Sequence, residues 1–439
     1  MKFTLLGTLW AGFLCLTTGG GESWPQFRGP TGQGHSNARQ LPLEWSDTGS
    51  EQKNIAWKRT IPGQGWSSPV VQGDRIYLTT AVTEGNRLSL RALSLEARKG
   101  ELLWNVEVFG HDSGAAPRIH NKNSHASATP IVENERLYVH FGHQGTACLD
   151  LSGKILWQNT ELNYSPVHGN GGSPLLTPNL LIFSCDGASD PFIAALDRNH
   201  GRVRWKTPRR TDATRTFSFS TPLLITVNGR SQVLSPGSNA LGAYDPETGE
   251  EIWRVRYDGY SVVPRPVFGH GLVFFSTGFD RPIVMAVRPD GKGDVTETHV
   301  AWKLSRGAPN TPSLLLVGDE LYMVSDGGIS SCVDAKTGDV HWQERVEGGY
   351  SASPVYANGR IYLQNERGLG TVLNPGKTFE KLATNPLPER SLASYAVIDG
   401  AFIIRTEQHL YCIRSKPEQA SAHEDKIAAQ AKAESNRAD

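Results

Sequence analysis

One phrase recurs along this chain: an acidic residue opening a tight turn, a Gly closing it, and a Trp four residues after that Gly. It runs from Glu96 through Gly100 to Trp104, from Asp150 through Gly153 to Trp157 and from Asp197 through Gly201 to Trp205. It returns from Asp245 through Gly249 to Trp253 and from Asp334 through Gly338 to Trp342. Gly291 with Trp302 is a stretched copy, and Gly376 with Phe379 a degenerate one. A second phrase precedes each: Ser68-Pro69, Thr129-Pro130, Ser173-Pro174, Thr221-Pro222, Arg265-Pro266, Thr311-Pro312 and Ser353-Pro354. Ser394-Tyr395 is an eighth copy without its proline. The prolines stand 42 to 61 residues apart, a period that admits propeller blades or helical arrays.

Strand patterning separates the two. Each proline leads into a β-branched run, then a turn, then a second run such as Arg75-Ile76-Tyr77-Leu78 or Arg360-Ile361-Tyr362-Leu363. A third run ends at the Gly turn, and the Trp sits on a fourth. Four short strands per repeat make a propeller blade, whereas no segment is long enough for a helix with a 3.6-residue apolar period. Trp57 has a blade-end position with no repeat before it, and the last repeat, ending near Ile413, has no Trp after it. The strand around Ile55-Ala56-Trp57 therefore completes the last blade and removes the open edge of the ring. The expected fold is all-β: an eight-bladed β-propeller over residues 55–415, with a lead segment over 21–54 packed on it and a polar tail over 416–439. Of the 11 Trp, seven mark one repeated position, and the 46 Gly and 26 Pro are blade punctuation.

Lys2, the apolar run Phe3 to Leu16 and the small residues Thr17 to Gly21 read as an export leader over residues 1–20, too short to span a bilayer. Cys15 follows Gly12-Phe13-Leu14, a poor lead-in for lipidation. No other stretch approaches ~18 uninterrupted apolar residues, so the expected protein is exported, periplasmic or extracellular, with no transmembrane segment in the mature chain. A closed ring within one chain also makes a monomer the expectation. With 44 Lys and Arg against 44 Asp and Glu, nothing favours a bulk polyanion such as nucleic acid. Cys148, Cys332 and Cys412 occupy the third-strand position held elsewhere by Ser94, Ala195, Ala243 or Ala286. That position wants a small buried residue, which free Cys supplies.

The Ala-x-Asp-x-x-Thr-Gly-x-x-x-Trp pattern, clearest from Ala243 to Trp253, resembles the tryptophan-docking repeat of pyrroloquinoline quinone (PQQ) dehydrogenases. The same repeat occurs in cofactor-free propellers, including the outer-membrane-protein assembly lipoprotein. Trp24-Pro25-Gln26-Phe27-Arg28-Gly29-Pro30, with Lys122-Asn123-Ser124-His125-Ala126-Ser127, is similar to segments of exported planctomycete propellers with PQQ-type repeats. The dehydrogenase resemblance implies a quinone held against a disulfide of adjacent cysteines, a Ca²⁺ bound by carboxylate and amide ligands, and an Asp base. This sequence has no Cys-Cys pair and is much shorter than typical members. Neither PQQ nor Ca²⁺ is therefore expected as a cofactor.

Blade topology places the connection entering each first strand, and the turn between second and third strands, on one face around the axis. Loops on a rigid ring are the default binding surface. That face collects His120, Asn123 and His125 from one entering loop, His140 and His143 from a turn, and Asp186, Arg265 and Asp280 from others. His125, His143 and Asp186 would suit a transition metal, and a His-Asp pair would suit acid–base chemistry. The plainer alternative is that these histidines hydrogen-bond loop backbone. Arg265, flanked by Pro264 and Pro266, would clamp a carboxylate or phosphate, or pair with a carboxylate of a neighbouring blade. Asp290-Gly291-Lys292-Gly293-Asp294 looks like a calcium loop but lacks its middle acidic ligand and spacing. Gly169-Asn170-Gly171-Gly172 leads into a strand, not the helix a phosphate loop needs. The leading expectation is a non-catalytic binding or scaffold module that takes a protein or small ligand on its axial face. The alternative is a quinone- or metal-dependent oxidoreductase with a site built from His125, His143, Asp186 and Arg265.

Overall fold

Burial along the strands shows how each repeat is used. The second strands are buried along most of their length, and Leu180–Cys185, Leu272–Ser276 and Ala401–Arg405 at every residue, because both of their faces meet neighbouring sheets. Outermost strands alternate: Val203–Pro208 runs half-buried and exposed in turn, as a strand with one face toward solvent should. The computed structural model describes residues 23–49 and 52–415. The leader expected at 1–20 and the tail expected at 416–439 lie outside the described residues.

Eight antiparallel sheets follow one another around an axis, and each takes its four strands in chain order from the axis outward. The exception closes the ring. Blade 8 consists of Ala396–Ile398, Ala401–Arg405 and His409–Arg414, and its fourth strand is Ile55–Thr60. Trp57 pairs with Cys412 and Thr60 with His409. Lys58 of that strand bridges Asp47 of the lead segment at 3.0 Å and Glu389 at 3.4 Å. The Tyr411 hydroxyl also donates to Asp47, at 3.0 Å. Cys148, Cys185, Cys332 and Cys412 are free and buried in four different blades.

The repeated Trp is a cross-blade fastener. The indole Nε1 of Trp57 donates to the Ala97 carbonyl at 3.0 Å, Trp104 to Leu151 at 3.0 Å, Trp157 to Arg198 at 3.0 Å and Trp205 to Pro246 at 3.1 Å. Trp302 donates to Ala335 at 3.0 Å and Trp342 to Gly376 at 2.9 Å. In each case the acceptor lies in the turn of the next blade. The Gly of that turn lies under the indole: a Cβ on Gly201 would sit 2.4 Å from the Trp157 ring, and its φ is +71°. Space and backbone conformation therefore both demand Gly there.

Two seams depart from this pattern. Blade 5 lacks the acidic turn, and its insertion sends Gly293–Asp294 alongside Trp253–Arg254 as a short parallel strand. Trp253 then donates to Gln232 of its own blade at 2.7 Å. Blade 7 has no Trp on its outer strand. Trp45 of the lead segment fills that seam, buried against Tyr362, Tyr395 and Phe402, with its backbone N–H on Asn385 Oδ1 at 2.9 Å while its indole N–H is unpartnered.

The rest of the lead segment crosses the ring on the face of the first-to-second strand turns. Trp24 pairs with Val71, Pro25 O accepts from Val132 N, Gln33 Oε1 from Phe268 N and Tyr356 O from Ser36 N. Four blades are thereby linked by one extended chain.

Replacing Trp57 by Ala removes the closing indole and leaves a gap between blades 8 and 1. We expect a loss of about 3–5 kcal/mol in chemical unfolding, as for other buried Trp→Ala changes, with the native strand content retained in buffer.

Candidate functional site

Two residues before every first strand stands a side chain that faces the axis. Seven of the eight are hydroxyls, and they form a relay in which each oxygen accepts the backbone N–H of the preceding blade. Ser68 N donates to Thr129, Thr129 N to Ser173 and Ser173 N to Thr221, at 2.9–3.0 Å. Arg265 N donates to Ser313, Ser313 N to Ser353, Ser353 N to Ser394 and Ser394 N to Ser68, at 2.9–3.1 Å. Ser313 holds this position in blade 6, not Thr311 as the proline phrase suggests. The Thr311 hydroxyl instead donates to Asp326 at 2.6 Å. Arg265 is the eighth member and interrupts the relay, because a guanidinium cannot accept from Thr221 N.

Above this ring lies a cavity of about 700 Å³. Its floor is the seven hydroxyls with Phe27, which the lead segment supplies from the opposite face. Aromatic side chains wall one side, Phe217, Phe219, Tyr260 and Phe279, and Trp66 lines the opposite side from blade 1. Phe217 meets His168 edge-on at 5.4 Å and Tyr260 at 5.6 Å, and Tyr260 meets Phe279 at 5.9 Å, spacings that favour edge-to-face contact. Arg215 covers the Tyr260 ring at 4.7 Å and hydrogen-bonds its hydroxyl.

The loop entering blade 2 spans the mouth. His120 N and Asn123 Nδ2 both donate to the His168 carbonyl, at 3.1 and 2.8 Å. On the other side Lys122 bridges Glu366 at 2.7 Å, and Arg390 donates to Asn121 O at 2.9 Å. Burial raises the Glu366 pKa, but Lys122 and Ser351 outweigh it and hold the carboxyl below its ordinary value.

Of the residues singled out in sequence, His120 and Asn123 line this cavity. The His120 ring stands 5.5 Å from that of His168, and its pKa is lowered by burial and by the His168, Lys122 and Arg390 charges. Asp280 is exposed at the rim, where it accepts from the Tyr260 hydroxyl at 3.3 Å. His125 and His143 belong to a separate group with His140 and His111. Gln144 contacts His125 Nδ1 at 3.4 Å. His140 is fully buried, with Nδ1 2.8 Å from the Thr146 hydroxyl and its ring 4.2 Å from Phe183. Desolvation and the nearby His143 push its pKa down to about 3; desolvation, His111 and His125 push His143 down to about 4. These imidazoles are neutral at pH 7.

Asp186 lies apart from them, buried against Arg209, whose Nε donates to Oδ1 at 2.6 Å. Burial raises its pKa to about 6, with Arg209 opposing. Among the described residues, no three of His, Cys, Asp and Glu come together as a metal-ligand set. Arg265 points below the hydroxyl ring, where it donates to the backbone of Pro222 and Phe27.

Most of the aromatic wall, Phe217, Tyr260 and Phe279, was not singled out in sequence. Its signal was present: Phe217 and Phe219 lie on the entering loop of blade 4, and Phe279 beside Asp280 in a second-to-third turn. The fourth histidine of the cluster, His111, sits at the end of the extended strand Leu102–Asp112, beyond the length of an ordinary blade strand.

A family model described as outer membrane protein assembly factor BamB matches residues 47–172, 91–289 and 293–381. The outer membrane protein assembly factor BamB of Moranella endobia (strain PCIT) is 21% identical over 320 residues, which cover 71% of this chain and 73% of that protein. The crystal structure of BamB from Moraxella catarrhalis superposes with a TM-score of 0.58 at 13% identity, covering 83% of this chain and 98% of that one. Quinohemoprotein alcohol dehydrogenase ADHIIG from Pseudomonas putida HK5 superposes with a TM-score of 0.51 at 13% identity, covering 90% and 80%. Both structural likenesses are of fold.

The buried histidines set an acid limit on the ring. A folded pKa far below the unfolded value of about 6.5 means that only the unfolded chain takes up the proton as pH falls. The stability associated with neutral His140 is complete above about pH 6.5 and falls by about 1.4 kcal/mol per pH unit below it, until the folded ring titrates. Half-buried His143 acts in the same sense but more weakly. Asp186, with its raised pKa, acts in the opposite sense. The difference between chains therefore isolates His140: urea unfolding of His140→Phe at pH 7 and pH 5 is expected to show a smaller loss than wild type.

Proposed function

Because this chain belongs to the outer membrane protein assembly factor BamB family, we propose that it is an exported, non-catalytic binding module acting in outer-membrane protein assembly, with its axial loop face as the binding surface. The observation that carries this reading is the cavity at the axis. It combines an aromatic wall with a hydroxyl floor, surfaces that suit recognition. The histidines among its lining residues, His120 and His168, face one another rather than a carboxylate. An acid–base pair needs a carboxylate or nucleophile in hydrogen-bond reach. The basic and apolar start of the sequence, Lys2 to Leu16, supports export. No helix among the described residues is long and apolar enough to cross a membrane.

The quinone reading finds less support. The free cysteines lie in separate blades, whereas the resemblance calls for an adjacent pair. The test is genetic. A strain lacking this protein is expected to carry several-fold less folded outer-membrane β-barrel protein, and the wild-type gene to restore it. Phe217→Ala with Tyr260→Ala, confirmed folded by its melting curve, is expected not to restore it, whereas Asp74→Ala on the opposite face is. Full restoration by the folded axial variant would remove the axial face from the function, and unchanged β-barrel levels in the deletion strain would remove the function itself.

A further inference from the structure

Two guanidinium groups lie at the foot of the axis with no carboxylate beside them. Arg28 and Arg265 are each 1% exposed. Arg28 Nη2 donates to the carbonyls of Gln33 at 2.8 Å and Leu314 at 2.6 Å, while its Nε and Nη1 are buried without a partner. Arg265 Nε donates to Pro222 O at 3.1 Å and Nη1 to Phe27 O at 2.8 Å. Arg265 is close enough to lower the Arg28 pKa, and burial is the larger cause. Among the described residues, no acidic side chain raises the pKa of either.

The rest of the molecule treats buried arginines differently. Arg209 has Asp186, and Arg198 has Glu133 at 2.5 Å. Arg405, also without a carboxylate, places Nη1 on the Ser67 hydroxyl at 2.7 Å and the Thr79 carbonyl at 2.8 Å, and none of its nitrogens is among the orphaned ones. Among the described residues, only the Arg28–Arg265 pair combines two buried like charges with two unpartnered guanidinium nitrogens. A buried unpaired ion costs several kcal/mol, and Arg does not escape by losing its proton. The described residues supply no countercharge, which points to a bound anion.

We propose that a single halide-sized anion, chloride under ordinary conditions, is bound at the foot of the axis on an orphan N–H of the Arg28 guanidinium, with Arg265 as the second positive charge. Size follows from the packing. A Cβ on Gly32 would lie 2.3 Å from Arg265 Nη1, and one on Gly34 would lie 2.6 Å from Arg28 Nη2. Backbone is thus pressed onto both guanidiniums, which favours a small, compact ion. The anion also has a structural consequence. Both arginines are bonded to the 27–33 loop, so the ion fastens the segment that carries Phe27 into the cavity floor.

The experiment compares thermal unfolding in sodium bromide and in sodium gluconate at equal ionic strength. The melting temperature is expected to rise by a few degrees as bromide increases from about 1 to about 100 mM and then level off, as for a ligand that binds only the folded state. Gluconate should not reproduce the rise. Arg28→Gln is expected to lose the bromide response, and Arg405→Gln to keep it. Should Arg28→Gln fail to fold, bromide-soaked wild-type crystals supply the reading, with an anomalous peak expected beside the Arg28 guanidinium. Equal melting in the two salts, or an anomalous map without that peak, overturns the proposal.

Discussion

The ring depends on an indole of one blade reaching the turn of the next. A blade exposes two apolar faces and cannot bury both by itself, so neighbours must be held in register along their whole width. Hydrophobic contact presses the sheets together without fixing how they slide. The Trp N–H on a single carbonyl, with Gly beneath the ring, fixes the slide at the outer edge. Trp57 makes the closure explicit, because its strand belongs to blade 8 by pairing and its indole to blade 1 by docking. The two seams that lose this contact each receive other material. The 290–297 insertion lies along Trp253, and Trp45 enters between blades 7 and 8. A vacant indole site would be a large cavity, and such cavities are costly.

At the inner edge the hydroxyl relay does the corresponding work, tying each blade to its successor around the axis. Its one interruption is informative. Where Arg265 replaces the hydroxyl, the relay from Thr221 stops, and the neighbouring Ser220 hydroxyl reaches the Pro264 carbonyl at 2.8 Å instead. The Arg265 side chain is then available to the lead segment. The break in eightfold repetition and the point where the lead segment is fastened are therefore the same place, and the axial cavity owes its floor to that break.

The repeat was readable because every element of it is local. A turn, a Gly and a Trp four residues on leave a mark that no tertiary context has to supply, and the unpaired Trp57 then required the closing strand. The hub was less readable. Proline marks it in six blades, but the physical requirement is a hydroxyl two residues before the first strand, which Ser313 meets with Leu314 after it. Topology assigned His120 and Asn123 to the axial face, but not how far along a loop a side chain stands from the axis. His125, His143 and Asp186 lie on elements of the same face and are turned into seams between blades. The partners of Arg265 were invisible for another reason: its contact with Phe27 spans 238 residues of sequence. Phe217, Tyr260 and Phe279 escaped because Phe and Tyr near strands read as core, and only the assembled ring shows that they face open space.

The assembled cavity is not eightfold in character either. Its aromatic wall comes from the loops of blades 4 and 5, with Trp66 of blade 1 on the far side, while blades 6 and 7 present Asp326, Ser351 and the Glu366–Lys122 pair. A ligand entering from the mouth meets an apolar side and a hydrogen-bonding side, which selects for a group with both characters. The strap across the mouth is fastened unequally as well. At His168 two N–H groups converge on one carbonyl, whereas at blade 7 the tie is an ion pair whose lysine is 38% exposed. Exposed pairs of that kind contribute about 0–1 kcal/mol, while freeing a shared carbonyl forfeits two hydrogen bonds. The strap is therefore held at blade 3 by two hydrogen bonds to one carbonyl, and on the far side by the Lys122–Glu366 pair together with the Arg390 bond to Asn121 O.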